Sequence, residues 1–227
     1  MNGAGKAGLH AVAIVPAFRE EGRVGEVVGR LRAVVSEVLV VDDGSPDGTA
    51  AEARGAGARV IVHERNRGKG GALRTGFAWA LANGADPVLT LDADGQHLPE
   101  EVPRLIACAE RTGADVVVGT RRLDPREMPF VRRWTNRTMS AVLSLAAGCR
   151  IGDTQSGFRL FRARVLRDVS VTTEGFDLES EILVRAARRG FRIREAEVST
   201  VYGTEKSKIR PIRDTIRFLG LLGRLGV

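Results

Sequence analysis

The 227-residue chain is 43% hydrophobic and 28% charged, a balance that supports a buried core and excludes wholesale disorder. Its length suits one large domain rather than a modular array. Lys plus Arg outnumber Asp plus Glu by 35 to 28 for a net charge of +7, while aromatics at 5% are too sparse for a nucleic-acid module that works by stacking.

Apolar, β-rich runs occupy residues 10–17, 37–43, 58–63, 87–92 and 115–120. Between the first two, Val24, Val27, Val28, Leu31, Val34 and Val35 share one helical stripe behind the acidic start Glu20-Glu21. Residues 70–83 read as a further helix. The runs lack polar alternation, as strands covered on both faces do. This alternation predicts an α/β fold with a doubly wound, mostly parallel sheet. Past residue 121 the pattern changes: residues 128–148 read as a helix with a basic first half and an apolar second half. A helix over 177–189, a strand over 192–201 and a final amphipathic helix over 211–225 complete the chain. No repeat or linker divides it, so a single domain is expected.

The positive charge is local. Residues 121–150 hold seven basic and two acidic side chains, and residues 204–227 hold six and two, so the rest of the chain is slightly acidic. Such patches suit phosphates or an anionic membrane surface. Cys108 and Cys149 have neither disulfide-framework nor zinc-site spacing. No apolar run approaches the roughly 20 residues that span a bilayer, and the first ten residues lack a signal-peptide core. A cytoplasmic protein that touches the membrane peripherally is expected.

Ligands of doubly wound sheets bind beyond the carboxyl ends of the strands. Those ends are rich here: Pro16-Ala17-Phe18-Arg19-Glu20, Asp42-Asp43-Gly44-Ser45, Asp92-Ala93-Asp94-Gly95-Gln96 and Gly119-Thr120-Arg121. In an extended segment Asp92 and Asp94 would face the same side and, with the amide of Gln96, offer hard oxygen ligands to Mg²⁺ or Mn²⁺. A lone pair of this kind also reads as a solvated turn bent at Gly95. Asp42 and Asp43 would accept hydrogen bonds from a base or a ribose, although their DGSPDG continuation is also a good turn and helix cap. Arg67-Gly68-Lys69-Gly70-Gly71 resembles a phosphate-cradling loop without Walker spacing.

These residues are similar to those of the family 2 glycosyltransferases, in particular the branch of dolichol-phosphate mannose synthases and bacterial polyprenyl-phosphate glycosyltransferases. Residues 14–20, IVPAFRE, resemble the family's I-P-T-Y-N-E. VVDDGSPDGT, RGKGGALRTG, LDADGQH, GTR, DTQSGFRLF and YGTEKSKI follow in the family's order. Phe18 and Arg19 stand where the family has tyrosine and asparagine, which keeps a ring for stacking. The resemblance implies a Rossmann-like fold of glycosyltransferase A type, with residues 10–121 as the nucleotide-sugar and metal half and 122–227 as the acceptor half with interfacial helices. Pro16, Phe18, Glu20, Asp42, Asp43, Lys69, Asp92 and Ala93 would line the nucleotide pocket. Asp92, Asp94 and Gln96 would hold Mg²⁺ or Mn²⁺ on the diphosphate, and Asp94, Arg121 and Asp153 are the catalytic candidates.

On the acceptor side the resemblance points to Arg121, Arg132, Asn136, Arg137, Lys206 and Lys208 as phosphate-binding residues, with Met139, Val142, Leu143 and Leu145 reaching the membrane interface. Tyr202 and Glu205 stand where many mannose synthases have arginine and glycine. Asp153 or Glu179 would act as base toward a hydroxyl acceptor, whereas a phosphate monoester, with a second pKa of about 6, needs none. The histidines, His97 included, read as structural or solvated residues. The implied activity is inverting transfer of a sugar from a nucleoside diphosphate sugar, GDP-mannose or a UDP-hexose, to a dolichyl or undecaprenyl (polyprenyl) phosphate at the cytoplasmic membrane face. Nucleic acid is not an expected partner. The alternatives are a family member acting on a sugar or lipid hydroxyl, and a basic membrane- or nucleic-acid-binding module on an inactive enzyme fold.

Overall fold

The computed structural model describes residues 10–121, 140–154, 156–171 and 177–199. The first half of the expected 128–148 helix and the whole of the 211–225 helix lie outside the described residues. In chain order the elements are β1 (Val12–Ala17), α1 (Val24–Arg32), β2 (Glu37–Asp42), α2 (Thr49–Gly55), β3 (Arg59–Val62), α3 (Lys69–Ala82), β4 (Val88–Thr90), a 3₁₀ turn (Pro99–Glu101), α4 (Val102–Thr112) and β5 (Val116–Arg121). Residues 140–147 are helical (α5). Then come β6 (Arg159–Phe161), α6 (Ala163–Asp168), α7 (Asp177–Arg188) and β7 (Ile193–Val198).

Among the described residues seven strands form one sheet in the order β3-β2-β1-β4-β6-β5-β7. All neighbours run parallel except β6, which is antiparallel to both β4 and β5. The inner strands bury both faces, and their alternate residues feed two cores. Val12, Ile14, Leu39, Val41, Val116 and Val118 pack on one side with Leu73 and Phe77 of α3 and with Leu178 and Ile182 of α7. Ala13, Val15, Val38, Val40 and Val117 pack on the other with Val24, Val28 and Leu31 of α1 and Leu105 of α4. The product is a three-layer sandwich of the expected doubly wound type. Helix α3 lies so close to the sheet that a Cβ at Gly76 would overlap Ile14, which explains a glycine in mid-helix despite its propensity cost of about 1 kcal/mol.

Two features position the site. Ala17 pairs with Asp42, so β1 and β2 end level and release Phe18 and Asp43 side by side. The antiparallel run of β6 sets Arg159 against Thr90 of β4 and Val118 of β5. Its amino end, Gly157 and Phe158, therefore reaches the carboxyl ends of its neighbours. No expectation from the sequence placed this strand: it has three residues, fully buried, too short to show a period.

The structure corrects the expectation for Asp92 to Gln96. Strand β4 ends at Thr90 and residues 93–94 form a turn, so strand alternation does not relate the two carboxylates. Gly95, at φ 74°, supplies the bend, and Asp94 Oδ1 accepts from the Gln96 amide at 3.0 Å. The interfacial expectation for residues 139–145 also narrows. Leu143 is 1% exposed in the core and Val142 packs against it, which leaves Leu145, 80% exposed, as the outward apolar side chain of α5. Met139 lies outside the described residues.

Candidate active site

The wall above β1 and β2 is tied together by its own polar groups. The Arg19 amide donates to Ser45 Oγ at 3.0 Å and the Glu20 amide to Thr49 Oγ1 at 2.9 Å. Asp42 Oδ1 accepts from the Ser45 amide at 3.0 Å. The buried Asp43 carboxylate reaches across to the loop before α3: Oδ1 accepts from the Arg67 amide at 2.9 Å and Oδ2 from the Gly68 amide at 2.7 Å. His63 Nδ1 lies 2.8 Å from Asp43 Oδ1 and its Nε2 2.9 Å from Thr75 Oγ1, so a ring protonated at Nδ1 donates to the carboxylate. Asp43 and His63 thus fix the shape of the RGKGG loop. The Arg19 guanidinium carbon sits 5.3 Å from the centre of the Phe18 ring, on a backbone in the left-handed region at φ 59°.

Beneath that wall, at the end of β4, lies a cluster of charges. Lys69, the first residue of α3, places Nζ 2.6 Å from Asp92 Oδ1 and 2.8 Å from Glu179 Oε2 of α7. Burial opposes the charge of Lys69, but the two carboxylates outweigh it and raise its pKa above the ordinary value. Burial likewise opposes the charge of Asp92, and Lys69 reverses the balance so that its pKa falls. Gly157 makes room for this carboxylate, since a Cβ there would overlap Asp92. Arg159 is fully buried and donates to the carbonyls of Ser156 at 2.8 Å, Thr154 at 2.7 Å and Glu179. Burial lowers its pKa against the opposing fields of Glu179, Asp153 and Asp92. Among the described residues, Glu179 Oε1 is buried without a hydrogen-bond partner.

The donor set fits a hard divalent cation bound in part by substrate. Asp92 already holds a cation, the Lys69 ammonium, at close range. Asp94 and the Gln96 amide group follow on the same turn. Among the described residues no three His, Cys, Asp or Glu side chains gather to cage a metal by themselves. Mg²⁺ and Mn²⁺ sites that take their remaining ligands from phosphates and water need no such cage.

Of the residues singled out from the sequence, Pro16, Phe18, Glu20, Asp42, Asp43, Lys69, Asp92, Ala93, Asp94 and Gln96 all fall on the carboxyl-end rim of β1, β2 and β4 or on the loop facing it. Glu20 is buried and pairs with Arg23 at 3.3 Å. Asp153 is buried close to Arg159. Arg121 closes β5 by its backbone. Arg132, Asn136, Arg137, Lys206 and Lys208 lie outside the described residues. Sequence reasoning missed Arg159 and the loop-setting role of His63. An arginine inside the otherwise apolar FRLF was the available signal for the first, because a charge in a buried strand needs partners. Of the two readings for His97, the structure has the packed one: its ring is 4% exposed and 5.5 Å from that of Phe158.

Among the described residues no helix is long and apolar enough to cross a membrane.

Comparison with known proteins places this arrangement. The profile of glycosyl transferase family 2 matches residues 12–170. The chain is 36% identical over 206 residues to an undecaprenyl-phosphate mannosyltransferase of Micrococcus luteus, covering 85% of this chain and 84% of that one. It is 32% identical over 228 residues to a UDP-N-acetylglucosamine–dolichyl-phosphate N-acetylglucosaminyltransferase of Methanococcus voltae, covering 90% of each. Among solved structures, glucosyl-3-phosphoglycerate synthase from Mycobacterium tuberculosis, in complex with Mn²⁺, UDP-glucose and phosphoglyceric acid, superposes with a TM-score of 0.76 at 25% identity, over 98% of this chain and 82% of that one.

Proposed function

The chain belongs to glycosyl transferase family 2, and from that premise we propose that it transfers a single sugar, with inversion, from a nucleoside diphosphate sugar to a polyprenyl phosphate. The observation that carries the reading is the Asp92 carboxylate at the carboxyl end of β4, held by Lys69 and given room by Gly157. The relatives support the acceptor class: the two most useful for it are named for undecaprenyl and dolichyl phosphate. Their sugars differ, so the donor is a GDP- or UDP-sugar of unassigned identity.

In this reading Phe18 offers a ring face to the nucleoside base, and the loop shaped by Asp43 and His63 presents Lys69 to the diphosphate. Asp92, Asp94 and Gln96 would hold Mg²⁺ or Mn²⁺, which supplies positive charge to the leaving diphosphate as the glycosidic bond breaks. The acceptor phosphate is already anionic at neutral pH, so its oxygen attacks the anomeric carbon without a base. Arg121, Arg132, Asn136, Arg137, Lys206 and Lys208 are proposed to offset the repulsion between acceptor and donor phosphates. Asp153 is proposed to orient this cationic side of the site. The basic segments, with Leu145, would rest on an anionic membrane surface at the cytoplasmic face.

Product analysis by mass spectrometry tests the reading. The protein is incubated with GDP-mannose or a UDP-hexose, Mg²⁺ or Mn²⁺, and either a short polyprenyl phosphate or the matching polyprenol. Glycosylated lipid phosphate with at least one donor, and none from the alcohol, is the expected result. Transfer to the alcohol alone would overturn the acceptor assignment.

A further inference from the structure

The Asp92 carboxylate is asked to serve two cations. In the structure its Oδ1 is taken by the Lys69 ammonium at 2.6 Å, and Lys69 is 14% exposed and anchored on its other side by Glu179 at 2.8 Å. A metal bound directly to Asp92 would sit about 2 Å from a carboxylate oxygen. That leaves ammonium and dication within about 5 Å of each other across one carboxylate, where their repulsion is little screened. Resting on the donor-site reading above, we infer that Lys69 and the divalent cation are alternative counter-ions of Asp92, so that metal and nucleoside diphosphate load together.

The geometry provides the means. Lys69 is the first residue of α3, with its backbone fixed just after Gly68, which adopts φ 79°, while rotation about the bonds of its four-carbon stem can carry the ammonium to a new partner. Without a nucleotide, leaving Asp92 would cost a largely buried ammonium one of its carboxylate partners. A diphosphate supplies the missing anionic partner, and the vacated Asp92 oxygen then accepts the metal. Lys69 thereby holds the site in balance when empty and makes metal affinity depend on the nucleotide by more than chelation alone. The coupling is reciprocal, so the metal strengthens diphosphate binding by the same factor.

Calorimetric titration of Mn²⁺ into the ligand-free protein, then with UDP and with GDP present, tests this without requiring turnover. Lys69→Met is expected to bind Mn²⁺ alone about tenfold more tightly than wild type, and the gain in Mn²⁺ affinity on adding the nucleotide is expected to shrink by a similar factor. Lys69→Gln repeats the test with a polar side chain should the methionine variant fold poorly. A crystal structure of the wild-type Mg²⁺–nucleoside diphosphate complex gives an independent readout: Lys69 Nζ should have left Asp92 Oδ1. Unchanged or weaker Mn²⁺ binding by both variants, or a Lys69 that keeps its Asp92 contact beside a bound ion, would overturn the inference alone. Full Mn²⁺ affinity in Asp92→Asn would remove the metal-site reading and the inference with it.

Discussion

Arg159 is a buried charge that the site accommodates by hydrogen bonds to backbone and by neighbouring carboxylates. It is fully buried on β6, between β4 and β5, and donates to three backbone carbonyls, those of Thr154, Ser156 and Glu179. Its charge is offset by Glu179, Asp153 and Asp92, and it ties down Thr154 and Ser156 ahead of Gly157, which makes room for the Asp92 carboxylate. Arg159→Met keeps much of the apolar stem but leaves three carbonyls without their donor and a net excess of buried negative charge. Urea unfolding should register a loss of about 3 kcal/mol or more. A loss below about 1 kcal/mol would mean that water replaces the guanidinium readily. At this scale the sequence is informative where a residue acts through its own position: Asp92, Asp94 and Lys69 stand in compact motifs. It is silent on pairing across the fold, because nothing in RGKGG or in FDLESEIL says that Lys69 meets Glu179.

Between elements, the face of α1 away from the sheet is clipped to the 3₁₀ turn ahead of α4. Arg30 donates to Glu100 through two nitrogens, at 2.8 and 2.7 Å, and to Glu26 one turn before it at 3.2 Å. The hydrogen bonds from Arg30 hold the Glu100 carboxyl down at about 2. A folded-state pKa below the unfolded one stabilises the protein above the unfolded value, ordinarily near 4.3, and that contribution is lost as pH falls through the interval down to about 2. The pair is largely solvent-exposed, so Glu100→Gln should cost only about 0.5 kcal/mol at pH 7. Thermal melts should show the two proteins converging between pH 4 and pH 2. A difference that persists at pH 2 would assign the effect to packing.

Elements with a long apolar record, β1, β2, β5, α1 and the later part of α3, were legible from hydrophobic patterning because both sheet faces are covered. Strand β6 was not, since three buried residues show no period and its antiparallel direction follows from where the chain returns. At Asp92 to Gln96 the turn bent at Gly95 replaces the extended reading for a related reason: β4 spans only Val88–Thr90, and the apolar Leu91, whose amide still donates to the Ile14 carbonyl, prolongs its run past the last paired residue.

At the scale of the whole molecule, the parallel strands direct their carboxyl ends to one rim, and β6, the one reversed strand among the described residues, brings Ser156, Gly157 and Phe158 to that rim from the opposite direction. The proposed donor site, assembled this way, would use residues from far apart in the chain while leaving the two apolar cores intact. Loss of a rim carboxylate should therefore affect chemistry far more than folding. Asp94 is half-buried on a turn and outside both cores, so it offers the cleanest separation. The decisive measurement is the rate of sugar transfer to a polyprenyl phosphate by wild type and Asp94→Ala, at saturating donor with Mg²⁺ or Mn²⁺, alongside the Tm of each. The account predicts a fall of roughly 100-fold or more in turnover, with a Tm shifted by only a few degrees. Turnover near the wild-type rate in the folded variant would contradict it.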